Sequence, residues 1–254
     1  MNKPRLRLLS AFPILLTFLL LTGISGFAQE TVPVAHRADS SHRADTAFAS
    51  TIARRADPPF WNEIVAFKRQ DSLHRPPKGG IVLVGSSSFR KWTNVQADFP
   101  GYTIINRGFG GSTFPDVIRY ARDIIFPYHP RQVIIYCGDN DLAVSDSVTA
   151  EIVFQRFVKL YDLIRLRLDT VDILFVSIKP SPSRERLLPR IEEANDLIRD
   201  FLAKRSHASF IDVYHKMLNK KGRPMDELFI EDKLHMNEKG YAIWQQVIQP
   251  YLER

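Results

Sequence analysis

The segment Ile81-Val82-Leu83-Val84 is apolar at every position and is bounded by Gly79-Gly80 on one side and Gly85 on the other. A strand with one wet face alternates apolar and polar residues, so a continuous apolar run between turn residues suits a strand buried on both faces. Similar runs recur at Thr103-Ile104-Ile105, from 132 to 136, from 171 to 176, and at Ser209-Phe210-Ile211. Helical spacing fills the intervals. Residues 149–168 align Ile152, Val153, Phe157, Leu160, Leu163 and Ile164, and residues 184–204 align Leu187, Ile191, Ala194, Leu197, Ile198 and Phe201. A first helix carries Trp61, Ile64, Val65 and Phe67 and ends before Pro76-Pro77, and residues 238–252 supply the last one. Five short strands alternating with helices predict right-handed crossovers and an α/β fold, a parallel five-stranded sheet sandwiched by helices. Ligands of such sheets bind beyond the carboxyl ends of the strands.

Ahead of this pattern, Lys3, Arg5 and Arg7 lead into an apolar run from Leu8 to Leu21 and then a small-residue stretch from Gly23 to Ala28. That is the grammar of a secretory signal peptide over residues 1–28, with Gly26 and Ala28 suited to the cleavage site. The apolar run is shorter than the roughly 20 residues a membrane-spanning helix needs. No cysteine lies near the cut to carry a lipid anchor. The expectation is a periplasmic or secreted protein with no membrane span once the leader is gone. Three of the 35 Lys and Arg leave with it, so 32 face 28 Asp and Glu and the formal charge falls from +7 to +4. A small excess spread along the chain is not the clustered stripe that grips nucleic acid, and no nucleic-acid partner is expected.

Residues 29–57 are poor in large apolar side chains and repeat His-Arg-Ala-Asp at 36–39 and 42–45, then Arg-Ala-Asp at 55–57. They read as a flexible polar linker with solvated histidines. The folded domain is expected over residues 58–254. The single cysteine, Cys137, ends an apolar run and has no partner for an internal disulfide, so it reads as a small buried hydrophobe and stability must come from the core.

Three polar segments directly follow predicted strands, and a fourth precedes the last helix. Gly85-Ser86-Ser87-Ser88-Phe89 puts a hydroxyl on a tight turn where a helix is about to start, although it lacks the Gly-x-Ser-x-Gly elbow of α/β-hydrolases. Ser86, Ser87 and Ser88 are rival nucleophiles. In Asn106-Arg107-Gly108-Phe109-Gly110-Gly111 the glycines allow close backbone approach, and Ser112 or Thr113 can cap the next element. No Gly-Lys-Ser/Thr ending or full dinucleotide fingerprint supports a phosphate cradle there. Gly138-Asp139-Asn140-Asp141 offers a side-chain amide to a developing oxyanion, or two carboxylates to a phosphoesterase metal. The metal reading is short of ligands, since no histidine occurs between His129 and His207. Two Asp-x-x-His pairs, Asp212/His215 and Asp232/His235, compete for the role of general base, and spacing does not choose between them.

In this order, over residues 81–252, the segments resemble the four blocks of the SGNH hydrolases, the Gly-Asp-Ser-Leu esterase and lipase superfamily. Within it they are similar to the platelet-activating-factor acetylhydrolase-like and carbohydrate-esterase-like branches. The resemblance implies a three-layer α/β/α sandwich of flavodoxin-like type and a serine esterase without metal or organic cofactor. Carried over residue by residue, it makes Ser87 the nucleophile, His235 the base and Asp232 its orienting acid. It makes the Ser87 N–H, Gly111 and Asn140 the oxyanion donors. The family's first-block Asp is Ser86 here, which removes a carboxylate from the nucleophile turn. The strings Phe109-Gly110-Gly111-Ser112-Thr113, Gly138-Asp139-Asn140-Asp141-Leu142 and Lys179-Pro180-Ser181-Pro182 also resemble a bacterial SGNH subgroup, with Lys179 to Arg184 expected near the mouth of the site.

The function so implied is hydrolysis of carboxylic esters on small-molecule or polysaccharide substrates, short acyl groups such as acetyl on sugars being favoured. A lysophospholipase or thioesterase, a non-catalytic glycan-binding relative and a metallophosphoesterase are the alternatives. Trp61, Trp92 and Trp244 are available to stack on sugars, but single aromatics near helices usually belong to the core.

Overall fold

The computed structural model describes residues 57–254, so the expected leader, 1–28, and all of the expected linker except Asp57 lie outside the described residues. The chain begins with α1, Trp61–Leu73, and enters the sheet at β1, Ile81–Gly85. Two short helices follow, α2, Ser87–Arg90, and α3, Val95–Asp98, and then β2, Ile104–Gly108. Next come α4, Phe114–Ile124, β3, Gln132–Tyr136, α5, Asp139–Val144, and α6, Ala150–Arg167. The second half holds β4, Asp172–Val176, α7, Leu188–Leu202, β5, Ala208–Ile211, and α8, Glu238–Ile248. The five strands are all parallel in the order β2-β1-β3-β4-β5, the flavodoxin-like order.

The strands divide their side chains between two cores. Val82 and Val84 of β1, with Val133 and Ile135 of β3, face the layer of α1, α4, α6 and α7. Ile81 and Leu83, with Ile134 and Tyr136, face Trp92, Trp244 and α8 on the other side. Because the strand period is two, a one-residue slip would exchange the two sets, and each fully buried Val, Leu, Ile or Phe contributes roughly 1.5–3 kcal/mol. Both faces thus hold the register of Leu83 against Ile134 and Asn106.

Two predicted boundaries move. β2 continues through Asn106-Arg107-Gly108 because Arg107, 5% exposed, is neutralised inside the fold. Its Nε donates to the Tyr128 hydroxyl at 2.7 Å and its guanidinium pairs with Asp71 of α1. The helix expected from Arg184 begins instead at Leu188, after a 3-10 stretch, Pro182–Leu187, in which Arg184 is non-helical (φ −120°, ψ 23°). In α6, Val153, Phe157, Leu160 and Ile164 are the buried stripe. Ile152 is 38% exposed, since one step back from Val153 turns it about 100° away.

Candidate active site

β1, β2 and β3 deliver their following turns to the same edge of the sheet, and short bonds stitch these turns together. Gly85 has φ +133°, and a Cβ there would lie 1.8 Å from the Tyr136 carbonyl oxygen of β3, so only glycine fits. The Ser86 N–H donates to that same oxygen at 3.0 Å. The Gly85 carbonyl in turn accepts from the Phe109 N–H at 3.0 Å and from Ser112 Oγ at 2.9 Å. Of the three serines, Ser86 and Ser88 are buried and Ser87, the first residue of α2, is half-buried. The Ser87 N–H has no partner among the described residues.

Opposite Ser87 stands the loop before α8. Its Phe229 and Met236 form an antiparallel bridge, the Ile230 N–H donates to the His235 carbonyl at 2.9 Å, and Lys233 takes the left-handed conformation (φ 54°) that closes the turn. Asn237 then caps α8 by accepting from the Lys239 and Gly240 N–H groups. Within this frame His235 Nε2 lies 2.9 Å from Ser87 Oγ, and His235 Nδ1 lies 2.6 Å from Asp232 Oδ2. Asp232 Oδ1 accepts from the Leu234 and His235 N–H groups at 2.9 and 2.8 Å. Partial burial opposes the charge of Asp232, but the bonds from the His235 ring and these two N–H groups outweigh it and hold its pKa at about 2. The rival pair has the same local geometry, with His215 Nδ1 2.7 Å from Asp212 Oδ2. It is exposed beyond β5, and among the described residues no serine hydroxyl meets its ring.

Gly111, at φ +74°, ends the turn after β2, and its N–H is without a partner among the described residues. Asn140 is tied to the next residue: its Nδ2 donates to the Ser112 carbonyl at 3.1 Å. The structure therefore gathers Ser87, His235 and Asp232 by direct contact, and Gly111 and Asn140 through Ser112.

The acidic neighbours of Asn140 have other work. Asp139 is buried, and one of its oxygens takes Lys179 Nζ and the Tyr136 hydroxyl, both at 3.3 Å. Burial works against its charge, but Lys179 and Arg184 outweigh it and keep its pKa below the usual carboxylate value. Asp141, fully buried, accepts from the Phe114 N–H at the start of α4 and pairs with Arg156 of α6 at 2.8 Å. Desolvation nonetheless raises its pKa to about 6. Among the described residues no three His, Cys, Asp or Glu side chains are gathered as metal ligands. The two carboxylates of this turn are structural ion-pair partners.

The segment expected at the mouth of the site divides. Lys179 is 1% exposed and stays beneath the site, so it is not available to substrate, whereas Arg184 reaches Asn140. Sequence reasoning also missed Asn106, whose side chain braces α2, and Glu63 of α1, which accepts from the Gly110 N–H at 3.3 Å and pairs with Arg90. Trp92 and Trp244 are buried and Trp61 stacks on Tyr120, so the core reading of the tryptophans holds. Cys137 is buried as expected.

Residues 78–243 match the model of the GDSL-like lipase/acylhydrolase family. The chain belongs to that family. No curated protein matches it by sequence. Among solved structures, this GDSL-like acylhydrolase is similar to a GDSL-like lipase from Bacteroides thetaiotaomicron, with 18% identity, TM-score 0.62, and 74% of this chain and 96% of that one covered. An assigned acylhydrolase from Bacteroides fragilis gives 20% identity and TM-score 0.65 over 75% and 96% of the two chains. A family 3 carbohydrate esterase from Clostridium thermocellum gives 17% identity and TM-score 0.53 over 68% and 96%. At these identities the likeness is one of fold. Among the described residues no helix of the GDSL-like chain is long and apolar enough to cross a membrane.

Proposed function

We propose that the protein is an exported serine esterase that hydrolyses short-acyl carboxylic esters, acetyl groups on carbohydrates being the favoured class. The observation that carries this reading is the chain of two contacts, Ser87 Oγ to His235 Nε2 at 2.9 Å and His235 Nδ1 to Asp232 Oδ2 at 2.6 Å. Asp232 fixes the proton on Nδ1, which leaves Nε2 as an acceptor aimed at the serine. As Ser87 Oγ attacks the ester carbonyl, its proton passes to Nε2, and the new imidazolium is stabilised by the ionised Asp232. Negative charge collects on the former carbonyl oxygen, and the Ser87 N–H, Gly111 N–H and Asn140 Nδ2 are the donors offered to it. His235 then protonates the leaving alcohol. Water attacks the acyl-enzyme, with the histidine again taking a proton, and the free acid departs. Support for a carbohydrate substrate comes from the shared fold with a carbohydrate esterase and from the signal-like leader.

The test is a hydrolysis screen over p-nitrophenyl esters of increasing acyl length and acetylated sugars, run with wild type and Ser87→Ala. Turnover that falls with acyl length, reaches acetylated sugars and is lost in the variant supports the proposal. A preference for long acyl chains would redirect it to a lipid hydrolase, and turnover retained in Ser87→Ala would refute the nucleophile. Labelling of the wild type by a fluorophosphonate, absent in Ser87→Ala, separates a hydrolase from a binding protein with the same fold.

A further inference from the structure

The Asn140 amide is gripped at both ends. Its Oδ1 accepts from Arg184 Nη2 at 2.9 Å, and its Nδ2 donates to the Ser112 carbonyl at 3.1 Å. A guanidinium only donates and a carbonyl only accepts, so the amide turned end for end would set donor against donor and acceptor against acceptor. One orientation survives, and in it one N–H of Nδ2 is left over. Arg184 is itself anchored. Its Nη1 donates to the Asp139 carbonyl and lies 3.7 Å from Asp139 Oδ2, the oxygen that also takes Lys179 Nζ. Asp139 Oδ1 accepts the Asn140 N–H at 3.0 Å, which closes the link back to the same residue. The non-helical backbone at Arg184 sits in the stretch just ahead of α7, and its side chain reaches back to the turn after β3 instead of out to solvent, being 15% exposed.

We propose that Arg184 is a positioning residue for the oxyanion site, acting through Asn140; the proposal rests on the reading of Asn140 as an oxyanion donor. Two effects arise from the geometry. The guanidinium removes the flipped state of the amide, so the free N–H is in place before charge develops. A cation on Oδ1 also draws density from the amide and makes the remaining N–H a stronger donor. Both effects grow as the carbonyl oxygen becomes an oxyanion, so they act on kcat and leave KM alone. Arginine suits the task because its fork reaches the Asp139 carbonyl and Asn140 Oδ1 together, which a lysine ammonium does with poorer geometry.

The experiment is a double-mutant cycle on the full chain, with kcat, KM and Tm measured on p-nitrophenyl acetate for wild type, Asn140→Ala, Arg184→Met and the double variant. Asn140→Ala is expected to lower kcat about 10²-fold or more, the usual cost of one oxyanion donor. Arg184→Met is expected to lower kcat at least about tenfold with KM changed less than about twofold, and to cost little further in the Asn140→Ala background. Ethylguanidinium should restore part of kcat in Arg184→Ala and none in Arg184→Ala/Asn140→Ala. Should Arg184→Met not fold, Arg184→Lys carries the same cycle with a smaller loss. Equal losses in both backgrounds, or a raised KM with kcat intact, would overturn the role of Arg184 while leaving the oxyanion reading standing. If Asn140→Ala kept full kcat, that reading would fail and this inference with it.

Discussion

Asn106 of β2 holds the carbonyl of Phe89, donating to it from Nδ2 at 2.7 Å, while its own Oδ1 accepts the Gly108 N–H at 2.9 Å. One side chain thus joins the end of the helix that carries Ser87 to the start of the turn that carries Gly111. Asn106→Ala strands the Gly108 N–H in partly buried surroundings, a cost of roughly 1–3 kcal/mol at most, and removes one of the donors to the Phe89 carbonyl, which keeps the Trp92 N–H at 3.0 Å. The expected outcome is a lowered Tm in thermal unfolding together with a reduced kcat. Asn106→Asp should be worse in kcat, because it sets a carboxylate oxygen against the Phe89 carbonyl. An alanine variant with unchanged Tm and kcat would show that the brace does no work.

The buried Ser86 Oγ, in the turn that carries Ser87, has no hydrogen-bond partner among the described residues. An unpaired buried hydroxyl is a cost, so its removal relieves one. Ser86→Ala is expected to keep or raise Tm, by the equivalent of about 1 kcal/mol, and to keep kcat within about a factor of two. A tenfold or greater loss of kcat would mean that this hydroxyl belongs to the chemistry. Together with Ser88→Ala, the same variant decides the register of the three serines, since only Ser87→Ala is expected to abolish turnover.

The strands were legible because burial on both faces leaves an unbroken apolar run, as in Ile81 to Val84. β2 runs past its apolar residues, an extension the sequence does not signal because Arg107 looks like a loop residue until Asp71 and Tyr128, distant in sequence, are brought beside it. The helix Phe114–Ile124 did carry a local signal: the Asp116 carboxylate, three residues on, accepts from the Thr113 N–H at 3.0 Å and from its hydroxyl at 2.6 Å, and Pro115 opens the first turn. For the site, the residue types are readable and the family resemblance points to His235, but spacing does not choose it over His215, because both pairs make the same local Asp-His bond. Only the path of the loop from Phe229 to Met236 carries one of the rings to Ser87. Arg184 is expected near the mouth of the site, but its link to Asn140 is not legible, because helical spacing also assigns it to the next helix and its partners lie on another turn.

Asp141 gives a stability prediction whose sign is unusual for a carboxylate in an ion pair. Its folded-state pKa, about 6, lies above the roughly 3.9 of an unfolded chain. Between those values the folded protein binds more protons than the unfolded one, so this group's contribution falls as pH rises through the window. The Tm of wild type relative to Asp141→Asn should therefore decline from pH 4 to pH 6.5, followed by circular dichroism. A difference that grows with pH instead would mean that Arg156 wins over desolvation and that Asp141 is ionised well below that range.

Asp232→Asn tests the direction of the proton relay without disturbing its shape. In the wild type, Oδ1 takes two backbone N–H groups and Oδ2 takes His235 Nδ1. An asparagine must keep its oxygen on the two N–H donors, so its NH₂ group is forced toward Nδ1. A ring nitrogen facing a donor must itself be the acceptor, which moves the imidazole proton to Nε2. That nitrogen then donates to Ser87 Oγ and cannot take the serine proton. The expected result is a kcat lower by about 10⁴-fold, the scale of a wrong histidine tautomer, with Tm little changed. Because the Asp232 pKa is about 2, the wild type keeps this carboxylate ionised down to about pH 3, so any acid loss of kcat/KM above that pH arises elsewhere. Slow fluorophosphonate labelling of Asp232→Asn at unchanged Tm is the decisive measurement, and labelling at the wild-type rate would remove Asp232 from the relay.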